Sequence, residues 1–247
     1  MNKMNIPPKA VPHSPTPDQE TMIKFDGAWD SELAVNMQNA WFDAIAMEYK
    51  IPDWIRYMEG ASGKKYRYFI NNFIGSMDDA RYLEIGTWAG STACSALYGN
   101  KVKTICVDNW AEFGGPKEAF FSNIEKIKSP DIDFSFIESD FNLIDYTNIG
   151  KFNVYMYDGD HSEENQYKGI NDVLPALDDT FILVVDDWNW QRVRTGTVNA
   201  ITDNSIDILC SIEIRTMTQE VWWGPDITGT DSDWHNGYFI AILKKRQ

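Results

Sequence analysis

The sequence predicts an α/β fold in which a mostly parallel sheet is covered by helices, with an antiparallel last pair of strands and a helical extension at the N-terminus. Three observations carry this expectation. From residue 80 onward, short apolar runs alternate with stretches of helical periodicity, the sequence form of a parallel sheet covered on both faces. A Gly-rich turn over residues 84–92 lies where the first run should pass into a helix. The last two apolar runs, 206–214 and 238–243, are joined by residues rich in Gly, Asp and Trp with no helical pattern to carry a crossover, so they should pair antiparallel.

The elements follow in order. Pro7, Pro8, Pro12, Pro15 and Pro17 crowd the first residues, and such a segment lacks the backbone donors to fold by itself, so residues 1–30 read as a flexible Pro-rich arm. Within residues 31–79, Leu33, Met37, Ala40, Trp41 and Ala44 recur at helical spacing, and a second helix over 64–77 carries Tyr68, Phe69 and Phe73. Strands are expected over 81–85, 103–107, 132–137, 152–157 and 181–185. Pro116 opens a helix with Phe120, Ile124 and Ile127 on one face. Tyr167, Ile170, Val173, Leu174 and Leu177 mark another helix between the fourth and fifth strands. No repeat or linker divides residues 80–247, which read as one domain.

The chain has 247 residues, 43% hydrophobic and 24% charged, which excludes a disordered or fibrous class. A net charge of −15 repels phosphate backbones and anionic lipid, so the expected partner is a small molecule, with no nucleic acid and no membrane; self-association stays open. Cys94, Cys106 and Cys210 are far apart and form no CxxC pair, so neither a zinc site nor a disulfide framework is supported. No apolar N-terminal run resembles a signal peptide and no run is long enough to span a bilayer, which places the protein in the cytoplasm.

In the Gly-rich turn, Gly86 and Gly90 allow the backbone to turn tightly and approach a ligand beside a helix N-terminus. Asp108 ends the second predicted strand 22 residues after Gly86, near the spacing at which an acidic residue reaches a ribose hydroxyl in such folds. The pair points to an adenosine cofactor; the plain alternative is a structural turn followed by a solvated Asp.

The fourth predicted strand ends in Asp158-Gly159-Asp160-His161-Ser162 and the fifth in Asp186-Asp187-Trp188-Asn189-Trp190. Ligands of open parallel sheets bind beyond the carboxyl ends of the strands, so both clusters should face the crevice of the turn. Carboxylates on neighbouring strands, about 4.8 Å apart, repel one another, and a hard divalent cation such as Mg²⁺ relieves this. The alternative is that they cap helices, and Asp160 with Ser162 fits that use. His161 stands three residues beyond Asp158, with an ordinary pKa near 6.5 that suits accepting a proton at neutral pH. The loop from Trp222-Trp223-Gly224-Pro225 to Asp231-Ser232-Asp233-Trp234-His235 suits either a lid that stacks on a sugar or flat ring, or a self-packed loop or subunit contact.

These residues resemble the class I S-adenosylmethionine-dependent methyltransferases. Glu84-x-Gly86 with Gly90 looks like their first motif, although Trp88 stands where many members have a middle glycine. Within the class the chain is similar, over roughly residues 60–215, to the metal-dependent O-methyltransferases that act on macrolide sugars and to the related cephalosporin hydroxylase-type group. That stretch includes Gly63-Lys64-Lys65-Tyr66-Arg67 and Asp108-Asn109-Trp110. The resemblance implies a Rossmann-like sheet with S-adenosylmethionine held by Glu84, Gly86, Thr87 and Gly90 at its methionine part, Asp108 at the ribose, Asp140 beside the adenine, and Asp158. Asp140 also fits a turn or helix cap. It further implies a metal, Mg²⁺ or a similar divalent cation, on Asp158, Asp186 and Asp187, and His161 as the general base that deprotonates an acceptor hydroxyl.

Two other readings remain at this level, a nicotinamide-dependent dehydrogenase and a non-catalytic cofactor-binding protein. A nucleic-acid methyltransferase is disfavoured by the charge and by the lack of an Asp/Asn-Pro-Pro-aromatic motif at the fourth strand end.

Overall fold

The central apolar runs 82–85, 154–157 and 181–185 become strands because they are buried on both faces and rich in β-branched and aromatic residues. The computed structural model of the chain describes residues 21–112, 114–216 and 232–246. In chain order it places β1 (Met22–Gly27), α1 (Glu32–Ile45), α2 (Asp53–Arg56), α3 (Lys64–Gly75), β2 (Ala80–Ile85), α4 (Ser91–Leu97) and β3 (Val102–Asp108). There follow α5 (Lys117–Ile127), β4 (Ile132–Glu138), β5 (Phe152–Tyr157), α6 (Glu163–Asn171), β6 (Leu177–Val185), α7 (Gln191–Asp203), β7 (Ile206–Arg215) and β8 (Tyr238–Lys245).

The eight strands form one sheet in the order β1-β7-β8-β6-β5-β2-β3-β4. Strands β2 to β6 are parallel, and β8 runs antiparallel to both β6 and β7, as expected for the last pair. Helices α1, α3, α4 and α5 cover one face through Trp41, Phe69, Leu97 and Phe120, packed on Val154, Met156 and Val184. Helices α6 and α7 cover the other through Ile170, Val193 and Ile201, packed on Leu83, Tyr155 and Leu183. After β2 the chain winds outward through β3 and β4, then returns to the other side of β2 at β5. The strand order therefore switches between β2 and β5, where Ile85 lies opposite Tyr157, and the crevice beyond that pair is where such sheets take ligands.

Apart from the short helix α2, the following elements differ from the sequence expectation. Met22–Gly27, assigned to the Pro-rich arm, is an edge strand antiparallel to β7, with Met22 opposite Arg215. All six of its residues are exposed, so no burial alternation marks it. The helix drawn from Tyr167 to Leu177 ends at Asn171; Pro175 lies in a 3-10 turn and Leu177 already begins β6. Helix α7 was not expected, since Gly196 and Thr197 interrupt its apolar face. A Cβ at Gly196 would sit 2.5 Å from the Glu163 carbonyl oxygen, so this glycine lets α7 lie close on α6.

Residues 1–20 of the expected arm, and Trp222, Trp223, Gly224, Pro225 and Asp231 of the Trp-rich insertion, lie outside the described residues. Trp234 is inside, and it takes the packed alternative: it is buried and stacks on Trp41 at 4.7 Å. The carbonyls of Ser232 and Asp233 accept the first amides of α3, from Lys64 and Lys65, at 2.9 and 3.0 Å. No helix among the described residues is long and apolar enough to cross a membrane.

Candidate active site

The turn after β2 is shaped by two left-handed glycines. Gly86 has φ +85°, and a Cβ there would lie 1.8 Å from the Asp158 carbonyl oxygen, so only glycine lets the ends of β2 and β5 come together. Gly90, at φ +88°, opens α4 against the Phe120 ring. Trp88 between them is also left-handed, at φ +42°, an uncommon conformation for a bulky residue.

Asp108 braces this turn. One carboxylate oxygen accepts the amides of Thr87 at 2.9 Å and Trp88 at 2.8 Å, and the other accepts the amide of Trp110 at 2.7 Å. A carboxylate has about four acceptor positions, so Asp108 can hold the turn and still face a ligand. Glu84 does neither of the things expected of a contact residue: it is fully buried beneath the turn and does not line the cavity. Its oxygens accept from the Tyr82 hydroxyl at 2.5 Å and the Thr92 hydroxyl at 2.8 Å, which ties β2 to α4. Burial lifts its pKa to about 7 despite both bonds. Gly90 likewise shapes the turn from outside the cavity lining.

The cavity beyond the strand ends has a volume of about 820 Å³. Its walls are residues 86–88 of the turn, Asp108, Asp140, residues 158–161, the Asp186-Asp187 pair and His235. Asp140 lines the cavity and also caps the 3-10 turn Phe141–Leu143, accepting the Asn142 amide at 2.9 Å. Asp160 and Ser162 are caps: Asp160 accepts the Ser162 amide at 2.7 Å, and Ser162 accepts the Asn165 amide at 3.2 Å.

A wall that the sequence did not reveal comes from residues 59–62, ahead of α3. It is held by Arg67, a fully buried guanidinium that donates to the carbonyls of Ile55 and Met58 at 2.9 and 2.8 Å and to the Ser62 hydroxyl at 2.9 Å. The Ser62 and Ser91 hydroxyls, 3.1 Å apart, join this wall to α4.

Asp158, Asp186 and Asp187 converge as the strand ends implied. Asp186 and Asp187 are 1% and 6% exposed, and one oxygen of each is buried without a hydrogen-bond partner. Burial first, then the neighbouring carboxylates, push the pKa of Asp158 and of Asp186 well above the ordinary range. His161 places Nε2 3.4 Å from Asp158 Oδ1 and 3.3 Å from Asp187 Oδ2. Its Nδ1 is buried without a partner, and the ring meets Trp190 edge-on at 5.3 Å. His235 lies on the far side of Asp187, with Nε2 3.7 Å from Oδ1, and burial lowers its pKa. The sequence placed His235 only in the Trp-rich insertion; its neighbours Asp186 and Asp187 are some fifty positions away, a relation only the sheet creates.

Residues 83–188 match the model of a methyltransferase domain family. No curated protein matches the sequence. Among solved structures, an SAH-bound methyltransferase of Podospora anserina is similar with a TM-score of 0.51 at 14% identity, over 90% of this chain and 91% of that one. A cofactor-bound protein of MTB is similar with a TM-score of 0.50 at 15% identity, over 88% and 92%. At these identities the likeness is one of fold: the sheet is Rossmann-like, as in that methyltransferase.

Proposed function

We propose that the chain transfers the methyl group of S-adenosylmethionine to a hydroxyl of a small molecule with the help of a divalent cation. The observation that carries this reading is that one cavity runs from the glycine turn to the His161 and aspartate cluster, within the segment that matches a methyltransferase domain. Its volume of about 820 Å³ suits a nucleoside-sized ligand with an acceptor beside it. Among the described residues, eight Asp and Glu side chains and neither lysine nor arginine line it, an acidic environment suited to a cationic sulfonium donor. A dinucleotide fits worse, because the Thr87 and Trp88 amides that would receive its pyrophosphate already donate to Asp108.

When bound, the methyl donor supplies the electrophilic methyl group and the cation supplies positive charge beside the acceptor oxygen. The orphaned oxygens of Asp186 and Asp187 fit a cation, and with Asp158 they would hold it. The chain itself orients and deprotonates. Methyl transfer is an in-line displacement, so aligning the acceptor oxygen with the methyl carbon supplies much of the acceleration. His161 takes the hydroxyl proton. The Asp158 and Asp187 carboxylates, 3.4 and 3.3 Å from its Nε2, hold the ring at the cavity wall for that transfer. Backbone contacts hold the ring in place, since the Arg192 Nε donates to the His161 carbonyl at 2.8 Å.

Incubation with isotopically labelled methyl donor and a panel of hydroxylated small molecules tests the reading. Label should appear on oxygen and its transfer should cease after chelation. Failure of calorimetry to detect donor binding, or preferential binding of a nicotinamide cofactor, would overturn it.

A further inference from the structure

Asp186, Asp187 and His235 each offer a ligand atom within 4.8 Å of the other two, and all three are buried. They come from two separate parts of the fold, the end of β6 and the approach to β8. Their convergence is energetically costly. Asp186 Oδ1 and Asp187 Oδ1 are buried with no hydrogen bond to replace the hydration they give up. Asp187 and His235 also both hold left-handed backbone, at φ +55° and +44°.

The surrounding chain enforces this arrangement. The residues that follow the aspartates are bonded to the residues that follow the histidine: Trp188 donates its amide to the Gly237 carbonyl at 3.2 Å, and Asn189 to the Asn236 carbonyl at 2.9 Å. The His235 carbonyl itself accepts the Thr216 hydroxyl at 2.8 Å. Strain and unsatisfied buried oxygens retained by such bracing point to a ligand that restores the balance.

We propose that His235 is a ligand of the cation held by Asp186 and Asp187, and that its imidazole makes the site prefer a first-row transition ion to Mg²⁺, with Mn²⁺ as the spectroscopic probe. The inference rests on the metal-assisted reading above and refines its choice of ion. Mg²⁺ is bound through oxygen and gives up its waters reluctantly, whereas an imidazole nitrogen among carboxylates suits transition ions. A nitrogen donor is thus the feature that separates the two classes of cation.

The test uses the full chain, stripped of metal by chelation and titrated with Mn²⁺ in the absence of methyl donor, with free Mn²⁺ followed by electron paramagnetic resonance. Wild-type protein should bind Mn²⁺, release it only to a large excess of Mg²⁺, and show nitrogen hyperfine coupling from a coordinated imidazole in pulsed spectra. His235→Ala and His235→Gln should lose that coupling and bind Mn²⁺ at least about tenfold more weakly, while His161→Ala keeps the coupling. The wild-type spectrum requires no variant to fold. Bound Mn²⁺ without nitrogen coupling, coupling that survives both His235 substitutions, or release by equimolar Mg²⁺ would overturn the proposal while leaving the metal reading intact. No Mn²⁺ binding at all would overturn both, and methyl transfer that persists after chelation would identify the metal reading as the part that failed.

Discussion

Replacing Glu84 with Gln should remove a pH dependence of folding stability that this one carboxyl creates. The side chain is fully buried, and loss of hydration outweighs its bonds from Tyr82 and Thr92, lifting its pKa from 4.5 to about 7. At the acidic end, below 4.5, the group is protonated in folded and unfolded chains alike and exacts no penalty. As pH rises toward 7 the unfolded chain releases the proton while the folded chain retains it, so folding becomes less favourable; above 7 both forms are ionised and the loss is complete. Its full size is about 3 kcal/mol, since a tenfold change in proton affinity is worth about 1.4 kcal/mol. The Gln amide can keep the network, its oxygen accepting from Thr92 and its nitrogen donating to the Tyr82 oxygen, without titrating. Denaturant unfolding across this range should show the wild type losing about 3 kcal/mol relative to Glu84→Gln. The corresponding loss in Tm for a chain of this size is roughly 6–12 °C. Parallel stability curves for the two proteins would refute the argument that an isolated buried carboxyl sets the slope.

Asp108→Ala removes the acceptor of three turn amides and should weaken methyl-donor binding by roughly one to two decades in calorimetry, as expected for hydrogen bonds to a charged group. His161→Ala should lower turnover by roughly 10²–10⁴ with donor affinity nearly unchanged; wild-type turnover in the variant would leave deprotonation to other groups. Arg67→Met leaves the Ile55 and Met58 carbonyls without their donor, at about 1–3 kcal/mol, and should speed hydrogen exchange over residues 55–62, with Arg67→Lys restoring part of the protection. Gly86→Ala forces a Cβ into the Asp158 carbonyl oxygen, so donor binding should be lost and thermal stability reduced.

The apolar runs 152–157 and 181–185, and the glycines after residue 85, carry their meaning locally, because strand burial and left-handed turns depend on a few adjacent residues. In a parallel sheet the residues following each strand share one edge, so the meeting of Asp158 and His161 with Asp186 and Asp187 was legible from sequence alone. What stayed hidden depends on partners distant in sequence. Met22–Gly27 is a strand only because β7 pairs with it, and its uniform exposure leaves no pattern. Glu84 stands in a ligand-binding motif, yet the approach of Tyr82 and Thr92 turns it into an internal brace. Trp234, expected on either a lid or a packed loop, is settled by Trp41 nearly two hundred residues earlier. His235 joins Asp187 because antiparallel pairing of β8 with β6 returns the chain to the same strand end. Periodicity and turn chemistry act over a handful of residues, so the sequence alone determined the parallel strands and the acidic strand ends; contacts closed over long loops form only when the whole sheet is assembled, so tertiary structure decided which of these groups face the cavity and which lie beneath it.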